Sequence, residues 1–109
     1  MGLEDKTLRR KSKTGAGTNA GVTVTVTGST GEALVCEEIE VSGDAAAVVT
    51  VESPSGTILY QKRFASAFAM SEAFPFGSIV GPVGQNMLVK ISASTSNCEA
   101  NIQVASIPA

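Results

Sequence analysis

One stretch, residues 33–52, constrains the fold more than any other part of the chain. Its apolar side chains recur at every second position on both sides of a polar break at Ser42-Gly43-Asp44. Period-two alternation is typical of a β-strand with one buried face, and a three-residue break can close a hairpin. The pattern therefore predicts two antiparallel strands that share one buried face, formed by Val35, Ile39, Val41, Ala45, Ala47, Val49 and Val51.

The opposite side of the first predicted strand carries Cys36, Glu38 and Glu40, which we expect to face water or a partner. These glutamates belong to an acidic cluster, which we interpret as a solvated strand face because its spacing matches no calcium loop. Glu37 breaks the alternation, since it has the parity of the buried residues. Cys98 lies on the apolar side of its predicted strand, whereas Cys36 lies on the polar side of its own. A disulfide between them is therefore not favoured.

Further strands follow at short, even spacing. Alternation predicts strands at 22–27, 57–62, 87–94 and 98–107, and a Pro-Gly turn leads into the second of these. Residues 64–76 are predicted to be an irregular or strand-like connection rather than a short helix. The chain of 109 residues is thus expected to form one all-β domain. Its fold class is an antiparallel β-sandwich or jelly roll of seven to eight strands, with a core of small side chains.

The first twenty residues differ from the rest in composition and charge. Residues 1–13 carry five basic and two acidic side chains, a net charge of +3, whereas the remainder has three basic and eight acidic ones, a net charge of −5. With few large apolar side chains, residues 1–20 cannot offset their own ordering entropy. We predict an extended N-terminal arm over 1–20, disordered in the free protein, and a β-sandwich (jelly-roll) domain over 21–109 that folds without it. The candidate partner-binding residues of the arm are Leu3, Lys6, Leu8, Arg9, Arg10, Lys11 and Lys13.

The composition argues against catalysis. The chain has no histidine, which removes the most common general base and the most common metal ligand. Two separated cysteines do not make a zinc site, and the glycines near residue 15 match a dinucleotide-binding pattern without the strand and helix that it needs. We therefore predict no enzymatic activity, no cofactor and no metal. The basic run has no interleaved aromatic residue, which disfavours nucleic acid as a partner.

All four phenylalanines lie in residues 64–76, and they allow two interpretations. They could plug the core beneath a long loop, or they could form an exposed apolar patch used for association. The second interpretation predicts a homo-oligomer with an interface at Phe64, Phe68, Met70, Phe74 and Phe76. No stretch approaches the length needed to span a membrane, and no apolar run follows Met1, so we expect synthesis in the cytoplasm.

The order of the segments resembles a known family. A polar arm is followed by LVCEEIEVSGDAAAVVTVE, TILYQK, FPFGSIVG, MLVKISAS and a closing CEANIQVASI. This order, over about residues 21–107, resembles the small jelly-roll structural proteins of tailed bacteriophages, particularly the head decoration (cement) proteins. The resemblance implies a trimer on the outer capsid surface of the virion, made in the host cytoplasm, whose terminal arm clamps the major capsid protein. The resemblance implies no catalytic residue. The arm from about Leu3 to Lys13 is the one part of this chain that corresponds to a functional part of the family.

Two other classes share the sandwich fold. A carbohydrate-binding or host-attachment module usually presents exposed Trp or Tyr for sugar stacking, and this chain has Tyr60 alone. A secreted immunoglobulin-like adhesion module is expected to have a signal peptide and a disulfide, and neither is evident in the sequence.

Overall fold

The computed structural model describes residues 9–18, 20–92 and 97–108, with Arg9 described by its backbone alone. These residues form eight β-strands and no helix, so none of the described segments is a helix that could span a membrane. The strands are β1 (Arg9–Thr18), β2 (Val22–Val26), β3 (Glu32–Gly43), β4 (Ala47–Glu52), β5 (Ile58–Phe64), β6 (Phe68–Ala73), β7 (Met87–Ile91) and β8 (Asn97–Pro108).

The strands form two four-stranded antiparallel sheets. Sheet A has the order β1-β8-β3-β6, and sheet B has the order β2-β7-β4-β5. The pairs β1 with β8, β2 with β7, β3 with β6 and β4 with β5 alternate between the sheets, which is the connectivity of a jelly roll. The predicted fold class is therefore confirmed, including the strand-like character of residues 68–73.

The core lies between the sheets and consists mainly of small and β-branched side chains. Both sheets contribute alternate residues, as period-two burial requires. Burial of each valine, leucine, isoleucine or methionine side chain stabilises the fold by roughly 1.5–3 kcal/mol. The cluster includes Val24, Val26, Leu34, Ile39, Val41, Val49, Val51, Met87, Val89, Ile91, Ala100, Ile102 and Val104.

The predicted hairpin over residues 33–52 is wrong. β3 pairs with β8 and β6 in sheet A, whereas β4 pairs with β5 and β7 in sheet B. The chain therefore crosses between the sheets at residues 44–46. The inner faces of both sheets point into one core, so a crossing preserves the same alternation as a hairpin. Among the eight strands, β4 and β5 are the only consecutive pair that is hydrogen-bonded.

Cys36 is fully buried rather than exposed, which corrects its predicted orientation. The register of β3 against β8 shifts just after Cys36, which marks a β-bulge. Before the bulge Leu34 and Cys36 face the core, and after it Ile39 and Val41 do so. The extra residue at Glu37 thus reverses the buried parity within one strand.

The two cysteines are free. Cys98 pairs with Gly43 on β3, seven positions beyond Cys36 along that strand (36 to 43). This separation is roughly 23 Å at 3.3 Å per residue. A disulfide requires Cα atoms within about 7 Å, so the sandwich keeps these two thiols apart.

Residues 9–18, assigned above to the arm, form the first strand of sheet A. β1 pairs with β8 from Arg9 opposite Ser106 to Thr18 opposite Asn97. The sandwich therefore includes residues before 21. β1 contributes backbone hydrogen bonds and covers the backbone edge of β8, and neither contribution requires large apolar side chains of its own. Leu3, Lys6 and Leu8 lie outside the described residues.

Candidate interaction surfaces

Glycines close one long edge of the sandwich. We call the edge formed by β1 and β2, with Gly15, Gly17 and Gly21, the glycine edge. A Cβ atom on Gly15 would lie 2.8 Å from Cγ2 of Val24, and one on Gly21 would collide with the carbonyl oxygen of Ile91. Real Cβ contacts are essentially never shorter than 3.0 Å. The sheets thus approach each other at Gly15 as closely as glycine allows, and Gly21 also lies close to the end of β7 within sheet B.

Aromatic side chains separate the sheets at the opposite edge. We call this edge, formed by β5 and β6 with Tyr60, Phe64, Phe68, Met70 and Phe74, the aromatic edge. The rings of Phe64 and Phe68 stack with centroids 4.2 Å apart, and Tyr60 meets Phe74 edge-on at 5.0 Å. All five side chains pack against the core and remain half-buried. They fill a wedge that is open to solvent on one side.

The predicted oligomer interface falls largely on this edge. Four of its five residues belong to the aromatic edge, and Phe76 lies in the following loop with 57% of its surface exposed. The placement combines both interpretations of the phenylalanines, because the rings plug the core and also form an accessible apolar surface. Their contact with another subunit stays a prediction.

Polar groups flank the aromatic rings. The Tyr60 hydroxyl donates to Oε1 of Glu72 across the sheets at 3.3 Å. Burial raises the pKa of Tyr60, and the Glu72 charge and hydrogen bond raise it further. Lys62, which is exposed on β5, forms no ion pair within the described part of the chain. Sequence analysis missed Glu72 because its contact with Tyr60 depends on the packing of two sheets, and it gave Lys62 no role.

β6 has an unpaired backbone edge. It is the last strand of sheet A and pairs with β3 on one side. The Phe74 N–H donates to the Glu37 carbonyl on the β3 side. Successive N–H groups of a strand point to opposite edges, so those of Ala69, Ser71 and Ala73 point away from β3. The side chains of these three residues are small and exposed.

The basic residues of β1 divide into two groups. Arg10 donates its Nε–H to the two carboxylate oxygens of Glu37, at 3.1 and 3.3 Å, and its side chain reaches across β8. Such an exposed pair contributes about 0.2–1 kcal/mol. Lys11 and Lys13 are exposed on the same strand. The structure thus places Arg10 in a contact within the chain, while the two lysines remain accessible to a partner.

The outer face of sheet A holds a shallow polar groove of about 620 Å³ that includes Glu40 and Glu99. Asn101, also missed by sequence analysis, lines it and donates its Nδ2 to Thr14 Oγ1 at 2.7 Å and to the Lys13 carbonyl at 3.1 Å. Its Oδ1 is buried and accepts no hydrogen bond within the described residues. The exposed Glu40 fits the predicted solvated strand face.

Glu52, to which sequence analysis gave no role, is 1% exposed at the end of β4. It accepts hydrogen bonds from the Thr50 hydroxyl and the Gly56 N–H, each at 2.7 Å, and Lys90 Nζ lies 3.3 Å away. Burial alone would raise the pKa of this carboxyl, but these donors outweigh it and the pKa is lowered. The ionised side chain therefore holds the turn between β4 and β5.

The described residues contain no group of three or more His, Cys, Asp or Glu that could hold a metal ion. Burial raises the pKa of the Cys36 thiol to about 12, with a further increase from the nearby Glu37 charge, against the lowering effect of the Glu38 N–H. Cys36 is therefore a protonated core side chain at neutral pH.

Comparison of the sequence with models of protein families found no match, and comparison with curated proteins found no significant similarity. The functional proposal therefore rests on the fold and on the surfaces described above.

Proposed function

We propose that the protein is a structural protein of a tailed-bacteriophage virion, which decorates and stabilises the capsid by binding the shell of major capsid protein. The observation that supports this most is the jelly-roll connectivity of the eight strands, because it matches the fold that the resemblance implies. Fold alone does not determine function, so the proposal also depends on the surfaces of the sandwich.

The two edges of sheet A suit two different contacts. β1 and β6 lie at opposite ends of the strand order, about 14 Å apart at the usual strand spacing. β1 presents Lys11 and Lys13, which fit an acidic surface of the shell, whereas β6 belongs to the half-buried aromatic edge. One copy can therefore contact the shell and another copy at the same time. This arrangement suits a protein that stabilises a capsid from its outer surface.

The proposal includes assembly into a homo-oligomer after synthesis in the host cytoplasm. The trimer that the resemblance implies stays a prediction. The alternative, a carbohydrate-binding or host-attachment module, requires an accessible aromatic ring. Tyr60 is half-buried with its hydroxyl bound to Glu72, and Phe76 is the one exposed aromatic side chain among the described residues.

The test adds purified protein to capsids of the encoding virus that lack it, followed by sedimentation. We expect saturable binding with a fixed number of copies per capsid and a higher temperature of capsid disruption. The double variant Lys11→Glu/Lys13→Glu should weaken binding, whereas Arg63→Glu, an exposed charge on β5, should not. Absence of binding by the folded protein at low salt would refute the proposal. Retention on a glycan surface instead would support the alternative.

A further inference from the structure

Four strands lie at sheet edges, and β6 is the least protected of them. β1 and β5 carry lysine and arginine side chains, and β2 lies close against β1 at the glycine edge, where Gly15 meets Val24. Basic side chains and a covering segment are common ways in which proteins block edge strands from pairing. β6 has no basic residue, no proline and no register shift against β3. Its one charged residue, Glu72, is bound to the Tyr60 hydroxyl.

We propose that β6 pairs with β6 of a second copy, antiparallel about a two-fold axis at Ser71, so that the two A sheets become one eight-stranded sheet. In this register Ser71 lies opposite its equivalent, and Ala69 lies opposite Ala73 of the second copy. These are the three residues whose N–H and C=O groups point to the free edge, so each forms a hydrogen-bonded pair. The side chains that meet on the outer face are all small.

The inner face of this pairing is also complementary. Phe68 comes opposite Phe74 of the second copy, and both rings are half-buried in the single chain. Pairing therefore buries apolar surface that the single chain leaves accessible. Met70 comes opposite Glu72 of the second copy, so no like charges lie directly opposite each other.

Charge complementarity adds a second contact between the copies. On β5, Phe64 stacks on Phe68 and Tyr60 contacts Glu72, which places Lys62 level with Met70. Glu72 of the second copy comes opposite Met70, and so lies beside Lys62. The two-fold axis repeats this pairing, which gives Lys62 the partner that it does not have within the described chain.

This inference does not depend on the proposed function, and it predicts an even number of chains. The trimer implied by the resemblance would satisfy it only if two trimers joined into a six-chain particle. Capsid binding and pairing are measured separately, so either can fail without the other.

A cysteine at the axis tests the register. Residues in a hydrogen-bonded antiparallel pair have Cα atoms about 5.5 Å apart, which a disulfide can bridge. We expect Ser71→Cys to form a linked dimer on mild oxidation, while the native cysteines stay buried. Ala16→Cys, an exposed residue on the outer face of β1, is the matched control. A linked fraction no larger than that of the control would overturn the register.

A second set of variants tests the β6 edge and the pair of Lys62 with Glu72. The particle mass of each variant is measured over a dilution series from micromolar to millimolar protein. Ser71→Pro removes an N–H that points away from β3, so the monomer should fold and pairing should be lost, whereas Ser71→Ala should pair normally. Lys62→Glu should weaken pairing about tenfold, and adding Glu72→Lys should restore it; Arg63→Glu is the control.

The charge variants keep the proposal falsifiable if Ser71→Pro fails to fold. A wild-type protein that stays monomeric throughout the series, or that forms particles of three chains, would overturn the two-fold pairing. So would an even-numbered particle that neither Lys62→Glu nor Ser71→Pro weakens.

Discussion

The glycine edge and the aromatic edge close the same sandwich in opposite ways. At the glycine edge Gly15 has no side chain, and sheet A comes into direct contact with Val24 of sheet B. At the aromatic edge the rings of Phe64 and Phe68 occupy the space between the sheets and stay half-buried. The comparison shows that edge residues decide where a jelly roll is sealed and where it leaves apolar surface open to solvent.

Deleting residues 1–13, which include part of the glycine edge, should cause the largest loss of unfolding free energy. It removes half of β1 and exposes the backbone edge of β8 between Ile102 and Ser106. Lost ladder bonds at about 1 kcal/mol each predict a loss of roughly 3–5 kcal/mol in unfolding free energy. A denaturant titration measures it, with deletion of 1–8 as the control that keeps β1 whole. An unchanged transition would instead support the detached arm that the sequence suggests.

Gly21→Ala should cause the next largest loss of unfolding free energy. Its new Cβ would collide with the Ile91 carbonyl oxygen, which belongs to backbone and cannot rotate away. We expect a loss of about 3 kcal/mol, at the upper end of overpacking costs. Ala16→Ser, on the exposed side of β1, is the control. If Gly21→Ala melts like the wild type, residue 21 does not pack against the backbone of β7 at the glycine edge.

Phe68→Ala should reduce the unfolding free energy by less, because the aromatic edge is only half-buried. We expect about 1–2 kcal/mol in the monomer, compared with 2–5 kcal/mol for Ile102→Ala in the sealed core. Thermal or chemical unfolding at low protein concentration measures both. Equal losses would mean that the aromatic edge is as well sealed as the core.

Sequence patterns could predict the strands of the sandwich but not how they are connected. Alternation identified β2, β7 and β8, since each has one apolar side. It could not separate a hairpin from a crossing at residues 44–46, because both keep the same residues buried. Cys36 was misplaced because a bulge changes parity without a sequence signal that alternation can detect.

The candidate surfaces could likewise be predicted only in part from the sequence. The phenylalanine cluster was visible in sequence as a local concentration of large apolar side chains. The free edge of β6, and the contact of Tyr60 with Glu72, depend on which strands end each sheet. β1 escaped recognition because its contribution is made mostly by backbone groups and glycine.

The smallest predicted effect is spectroscopic and reports on the aromatic edge alone. The chain has one tyrosine and no tryptophan, so tyrosinate absorbance reports on Tyr60 directly. Removing the charge in Glu72→Gln should lower the pKa of Tyr60 toward its ordinary value. Glu38→Gln, on the outer face of sheet A, should leave the titration unchanged. An equal response to both variants would contradict the contact between Tyr60 and Glu72.

The raised Tyr60 pKa also fixes a pH dependence of stability. The folded state holds the phenol proton more tightly than the unfolded state, so this contribution is complete below pH 10. It is lost as the pH rises from there through the folded pKa. Glu72→Gln should therefore reduce the loss of stability in strongly alkaline solution, which unfolding titrations across that range measure.

Hydrogen exchange of the Ser71 amide, followed by NMR as a function of protein concentration, tests the central claim most directly. The Ser71 N–H points to the free edge of β6, whereas that of Met70 points toward β3. We predict fast exchange of Ser71 in dilute solution and progressive protection as the concentration rises, with Met70 protected throughout. A Ser71 amide that exchanges at the same rate at every concentration would contradict the account, because the β6 edge would then accept no second chain.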